Sequence, residues 1–142
     1  MRVKLLDPKA KAPVVEHPAQ DLGYDLFSLE DVTLRCSTVQ KVRTGICIEF
    51  DEFWGGLIRD RSSLAAKGVT VSGGVIDSGY RGEIIVLMTY HNESVYKEYE
   101  ISEGDKIAQI MPLQVHTWKT IQIVKELTGS TRGIRGFGSS GK

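Results

Sequence analysis

The sequence predicts an all-β domain, a barrel or two-sheet sandwich with jelly roll among the options. Three observations carry this. Short β-branched or alternating apolar runs recur along the chain, turn residues separate them, and a single stretch has helical character.

The elements follow in order. Strands are expected over residues 2–6, 25–27 and 32–34, each brief and followed by polar residues. Residues 42–50, V-R-T-G-I-C-I-E-F, alternate in their second half, and 57–59 and 69–71 add two short runs. Residues 83–90, E-I-I-V-L-M-T-Y, form an apolar run long enough only for a buried strand, and 95–101 and 107–115 complete the set. Thr44-Gly45, Gly55-Gly56, Ser72-Gly73-Gly74, Ser78-Gly79, His91-Asn92 and Glu103-Gly104-Asp105 read as the turns between them. Residues 62–67, S-S-L-A-A-K, read as one or two turns of helix, closed by Gly68 as the residue after the C-cap. Residues 128–142 change character. Rich in Gly and Ser, with Phe137 and Ile134 as the large apolar residues, they cannot bury a core of their own. The division is therefore a β domain over 1–127 and a flexible Gly-rich arm over 128–142. Composition alone describes a disordered terminus, whereas Phe137 among glycines suits an arm that orders on a ligand.

Bulk numbers narrow the function. A chain of 142 residues is one domain. Lys plus Arg number 18 and Asp plus Glu number 18, so no positive excess supports a broad nucleic-acid surface. A few placed cations can still bind one nucleotide. Cys36 and Cys47 have no C-x-x-C spacing, so a reduced pair is expected, with one disulfide as the alternative. The opening apolar run is too short for a signal peptide and no window approaches a membrane span, so a soluble, cytoplasmic protein is expected.

Several segments can carry chemistry, each with an ordinary reading beside it. Gly136-Phe137-Gly138-Ser139-Ser140-Gly141-Lys142 fits G-x-x-x-x-G-K, but it lies in the tail rather than between a strand and a helix, so a Walker loop is not expected. Glycine backbone can nonetheless wrap phosphates, with Arg132 and Arg135 adding charge. Arg61-Ser62-Ser63 at a strand-to-helix junction makes an anion site, or an ordinary Ser N-cap with solvated arginines. Gly73-Gly74-Val75-Ile76-Asp77-Ser78-Gly79-Tyr80 reads as a hairpin and a tight turn. Asp77 there is a turn residue or a general base, and Tyr80 a core residue or a stacking platform. Asp25, in Gly23-Tyr24-Asp25-Leu26, is a loop-edge charge or reaches Mg²⁺ through water. Gln109, within Gly104-Asp105-Lys106-Ile107-Ala108-Gln109, is in isolation a solvent-facing strand residue. His17, His91 and His116 have no metal spacing.

Taken together and in order, these segments resemble the five motifs of the trimeric deoxyuridine triphosphatase family. They are Gly23-Tyr24-Asp25-Leu26, Arg61-Ser62-Ser63-Leu64-Ala65, Gly74-Val75-Ile76-Asp77 with Tyr80-Arg81-Gly82, Gly104–Gln109, and Arg132-Gly133 with Gly136–Gly141. The resemblance spans nearly the whole chain. It implies a jelly-roll-like β barrel assembled as a homotrimer whose sites draw on all three subunits. It also implies Mg²⁺-dependent hydrolysis of dUTP to dUMP and pyrophosphate, which lowers dUTP and supplies dUMP for thymidylate synthesis. Asp77 would activate the water that attacks the α-phosphorus. Arg61, Ser62, Ser63 and Gln109 would hold the phosphates or that water, and Asp25 would orient Mg²⁺ through water. The backbone around Gly74, Val75 and Ile76 would pair with uracil, and Tyr80 would pack under the deoxyribose. Arg132, Phe137, Gly138 and Ser139 would close over the nucleotide. Such roles suit phosphoryl transfer, which asks a protein for positioning and charge stabilisation.

Three positions depart from the family pattern. Asp60 stands where proline commonly precedes the arginine, Gly79 replaces an acidic residue, and Arg135 replaces a small one. Two rival readings follow. Related deoxycytidine triphosphate deaminases share parts of the pattern but use a glutamate in the strand after the hairpin, where this chain has Leu87. A non-enzymatic interaction protein would be marked by insertions or loss of Asp77, and neither is found.

Overall fold

The computed structural model describes residues 1–116 and 120–131. Its order is β1 (Arg2–Leu5), β2 (Tyr24–Phe27), β3 (Val32–Arg35), β4 (Val39–Glu49), β5 (Trp54–Arg59), α1 (Ser62–Ala65), β6 (Val69–Ser72), β7 (Val75–Ile76), β8 (Glu83–Tyr90), β9 (Glu98–Ile101) and β10 (Lys106–Gln114). One antiparallel sheet runs β1-β4-β8-β6, a second runs β2-β10-β5-β7, and β3 pairs with β9. Among the described strands no paired neighbours are consecutive in sequence, the mark of the double-sheet, jelly-roll class of connection. No helix among the described residues is long and apolar enough to cross a membrane.

Alternation builds the core. On β8 the side chains of Ile84, Val86 and Met88 are fully buried, as are Val42, Ile46 and Ile48 on β4 and Ile107 and Ile110 on β10. Each such side chain contributes about 1.5–3 kcal/mol relative to leaving it in water. Leu26 of β2 and Leu34 of β3 complete the packed interior.

Several expected turns are something else. Thr44-Gly45 lies inside β4, where the register against β8 shifts between Arg43 and Cys47. It is a bulge: Gly45 has φ +68°, its N–H donates to Glu83 Oε1 at 2.9 Å, and the buried Thr44 hydroxyl donates to the Ile84 carbonyl. Gly55-Gly56 lies inside β5, opposite Leu113 and Pro112 of β10. A Cβ on Gly56 would stand 2.7 Å from Phe50 Cζ and 2.9 Å from Ile110 Cδ1, so Gly56 admits core side chains, whereas one on Gly55 would stand 2.8 Å from the Ile76 carbonyl oxygen of β7. Gly73-Gly74 does not close a hairpin. β6 pairs with β8 and β7 with β5, so the chain changes sheets at this corner. The strand expected over 95–101 begins at Glu98, and the helix expected over 62–67 is recorded over Ser62–Ala65. Gly68, at φ +84°, follows that helix, its Cα against the His91 carbonyl where a Cβ would stand 2.2 Å away. Both cysteines are free.

Candidate functional site

Two concavities collect the candidate residues. The first is walled by residues 14–25, the start of α1 and the middle of β10, and its lining includes Asp25, Arg61, Ser62, Ser63 and Gln109. An isolated antiparallel bridge between Val14 and Asp25 closes the 14–25 loop, with hydrogen bonds of 3.2 and 2.7 Å. Register then places Gln109 of β10 between Asp25 of β2 and Arg59 of β5. Gln109 is half-buried and donates through Nε2 to the Asp60 carbonyl at 2.9 Å. It is not the solvent-facing strand residue that its isolated context suggests. Gly23 makes this possible, because a Cβ there would stand 2.7 Å from Gln109 Oε1.

Charge in this concavity is organised around Asp25. Arg61 Nε donates to Asp25 Oδ1 at 3.0 Å, and Lys106 Nζ lies 2.8 Å from Oδ2 and 3.2 Å from Glu16 Oε2. Hydrogen bonds to Asp25 and then Glu16 raise the Lys106 pKa above its ordinary value. Asp25 is thus no loop-edge charge but a paired carboxylate. The serines do not cap α1: Arg61 occupies the N-cap with extended backbone and no side-chain cap bond forms, leaving both serines exposed to the concavity. At four residues α1 has little dipole to offer an anion, so cationic charge here comes from the Arg61 and Lys106 side chains. At the rim, the His17 backbone N–H donates to Asp21 Oδ2 at 2.8 Å and, as the largest effect, holds the Asp21 carboxyl below its ordinary pKa.

The second concavity is lined by Ile58, Gly74, Val75, Ile76, Asp77, Tyr80 and residues of β8. Gly74, at φ +91°, accepts a hydrogen bond from Ile58 N–H at 2.8 Å, and a Cβ there would meet the Ile58 carbonyl oxygen at 2.7 Å. β7 is an edge strand, so one side of Val75 and Ile76 presents backbone donors and acceptors free of the sheet. Tyr80 N–H donates to the Asp77 carbonyl at 3.0 Å, fixing the turn, and Tyr80 OH donates to the Glu83 carbonyl at 3.1 Å. Gly82 lets the ring lie there, since a Cβ would be 2.4 Å from the phenol oxygen. Asp77 is exposed, and no hydrogen bond among the described residues engages its carboxylate, so it is a turn residue through its backbone alone. Glu83 also lines this concavity, but its carboxylate accepts from Arg43 Nε and Gly45 N–H, which ties it to the β4 bulge. At Gly79 a Cβ would meet nothing within 4 Å, so space does not require glycine there.

The two concavities share no lining residue. The chain gathers Asp25, Arg61, Ser62, Ser63 and Gln109 at one place, and Gly74, Val75, Ile76, Asp77 and Tyr80 at another. Arg132, Phe137, Gly138 and Ser139 lie outside the described residues. Lys106, Glu16 and Asp60 were not singled out for roles in the sequence. Lys106 sits inside the Gly104–Gln109 segment, whereas the Asp60 carboxylate accepts from Val71 N–H and ties the β5–α1 corner to β6, a contact no local pattern announces. Among the described residues no group of three or more His, Cys, Asp or Glu side chains could cage a metal ion. A cation brought by phosphates and met by one carboxylate fits this arrangement, as Mg²⁺ commonly requires.

Comparisons with known proteins show the family. A family model described as dUTPase matches residues 10–141. Deoxyuridine 5'-triphosphate nucleotidohydrolases of Clostridium tetani and Candida albicans are 43% and 40% identical, each aligned over 100% of this chain and over 97% and 88% of their own lengths. A solved mutant dUTPase of Staphylococcus bacteriophage 80alpha, with dUpNHpp, superposes with a TM-score of 0.89 at 28% identity, covering 99% of this chain and 98% of that one. A mutant dUTPase from phage phi11 of S. aureus, described as coordinating a structural Mg(II) ion, superposes with a TM-score of 0.79 at 27% identity over 90% and 98% of the two chains.

Proposed function

The chain belongs to the dUTPase family, and from that premise we propose that it hydrolyses dUTP to dUMP and pyrophosphate in sites built between subunits of a homotrimer. One observation carries the assembly: the phosphate-type residues and the base-type residues occupy separate concavities of one chain. A second copy can supply what each concavity lacks. The apolar side chains of Ile121, Ile123, Val124 and Leu127 stand exposed on the subunit, which favours their burial against another copy. Under this reading the β domain ends at 127 and residues 128–142 act as an arm of a neighbouring subunit.

Each role has a physical basis. The free edge of β7 pairs its backbone with uracil, and a base that leaves those groups unpaired is rejected. Tyr80 is held by its own turn and packs under the sugar, where a ribose 2′-hydroxyl would not fit. Arg61, pre-aimed by Asp25, together with the Ser62 and Ser63 hydroxyls and the Gln109 amide, binds the phosphate chain and stabilises developing charge. Asp77, exposed and unengaged among the described residues, takes a proton from the water that attacks the α-phosphorus. Arg132, Phe137, Gly138 and Ser139 close over the nucleotide and exclude bulk water. Asp25, with the phosphates, would hold Mg²⁺ through water, and the metal would supply charge neutralisation on the phosphate oxygens.

Pyrophosphate release from dUTP, dCTP, dTTP and UTP, with and without Mg²⁺, tests the proposal. Release confined to dUTP and lost on chelation is expected. Release from none of the four would assign the motifs to a binding protein, and release from UTP at a comparable rate would remove the sugar-reading role from Tyr80.

A further inference from the structure

Both oxygens of Asp25 already face cations. Oδ1 accepts from Arg61 Nε at 3.0 Å, and Oδ2 lies 2.8 Å from Lys106 Nζ. The two cations are held differently. Arg61 is a planar donor fork whose Nη1 also reaches the Lys106 carbonyl at 3.4 Å, so its position is doubly defined. Lys106 is a point charge on a flexible stem at the start of β10, next to the register shift between Lys106 and Ala108. Its ammonium is shared with Glu16, 3.2 Å away, whose side chain is 67% exposed against 18% for Asp25. A pair with so exposed a partner as Glu16 is weak, so Glu16 draws the ammonium away from the less exposed Asp25 only modestly. Removing either influence should shift the balance by a small factor.

A hydrated divalent cation approaching Oδ2 would find the ammonium, a like charge, on the oxygen that its coordinated water must reach. Either the cation or the ammonium must yield, and Glu16 gives the ammonium a place to go. We infer that Lys106 is a positioning residue that holds Asp25 ready in the absence of metal, and that its transfer to Glu16 frees the carboxylate for the hydrated divalent cation carried by the triphosphate. The inference rests on Asp25 serving that cation, as proposed above. Lys106 then sets how much metal the site requires, and Glu16 acts against it.

The two residues therefore have opposite signs, which separates the exchange from a merely structural role. Mn²⁺ serves as the probe, its free concentration read by electron paramagnetic resonance in the intact oligomer with the non-hydrolysable dUpNHpp. Lys106→Gln should lower the half-saturating Mn²⁺ roughly two- to fivefold, and Glu16→Gln should raise it by a similar factor. Lys106→Arg, which keeps the cation, should stay near the parent value. Shifts of the same sign in the two glutamine variants, or no shift in either, would overturn the inference while leaving Asp25 its role. Asp25→Asn separates the underlying reading. It should weaken Mn²⁺ binding, and unchanged binding would overturn both that reading and the exchange built on it. Light scattering and thermal melting of each variant identify any that fails to fold, in which case Lys106→Met and Glu16→Ala replace the glutamine pair with the same opposed expectations.

Discussion

At the scale of single residues, the site is defined by what each side chain is and is not engaged with. Asp77 is exposed and uncommitted among the described residues, while its carbonyl anchors the turn to Tyr80. The backbone is thus fixed while the carboxylate stands exposed, as the proposed base requires. Asp77→Asn should keep affinity for dUpNHpp, measured by calorimetry, while turnover of dUTP falls about 10²- to 10⁴-fold. Undiminished turnover would remove Asp77 from the role of base. Asp21 shows the opposite case, a carboxylate spent on structure. Its hydrogen bond from His17 N–H depresses its pKa, so the clamp contributes fully above the ordinary carboxyl range and is lost as pH falls through the lowered value. The His17 amide resonance should shift across that acidic window, and Asp21→Asn should abolish the shift. A titration unchanged by the substitution would contradict the assignment.

At the scale of elements, close approach at glycine does much of the positioning. Gly56→Ala would drive a Cβ into Phe50 and Ile110 and should destabilise the fold by about 1–3 kcal/mol, read as a lower urea midpoint; an unchanged midpoint would contradict the packing described. The same glycines show where sequence reading stops. The strands around Ile84, Val86 and Met88 are legible because alternation is a local signal that survives into the fold. Gly55-Gly56 and Thr44-Gly45 carry the local signal of a turn, yet one serves packing and the other a bulge, and only their cross-strand partners decide which. Gly73-Gly74 flanked by β-like runs reads as a hairpin, but β6 and β7 choose partners far along the chain. Site residues follow the same division. Asp25, Arg61, Asp77 and Gln109 are legible through their motifs, whereas the Lys106–Glu16 pair and the Asp60 tie to Val71 arise from register and loop closure. Asp60 also explains its own departure from the family pattern: a proline there would leave Val71 N–H without this acceptor.

At the scale of the whole molecule, the candidate residues of one chain fall in two separate concavities, which the proposed assembly treats as half-sites. Arg61 stands in one concavity and Asp77 in the other, with no lining residue in common. A homotrimer of this kind has as many complete sites as subunits, each made from unlike patches meeting across a closed, heterologous interface. This geometry has a direct consequence for mixed assemblies. Asp77→Asn and Arg61→Ala should each be nearly inactive alone. When the two are dissociated together, reassembled one to one and assayed with dUTP, about a quarter of the sites should pair an intact Arg61 with an intact Asp77, and activity should return in that proportion. A mixture no more active than its separate parts, with exchange of subunits confirmed by mass, would place both residues in the service of one subunit and contradict the shared site.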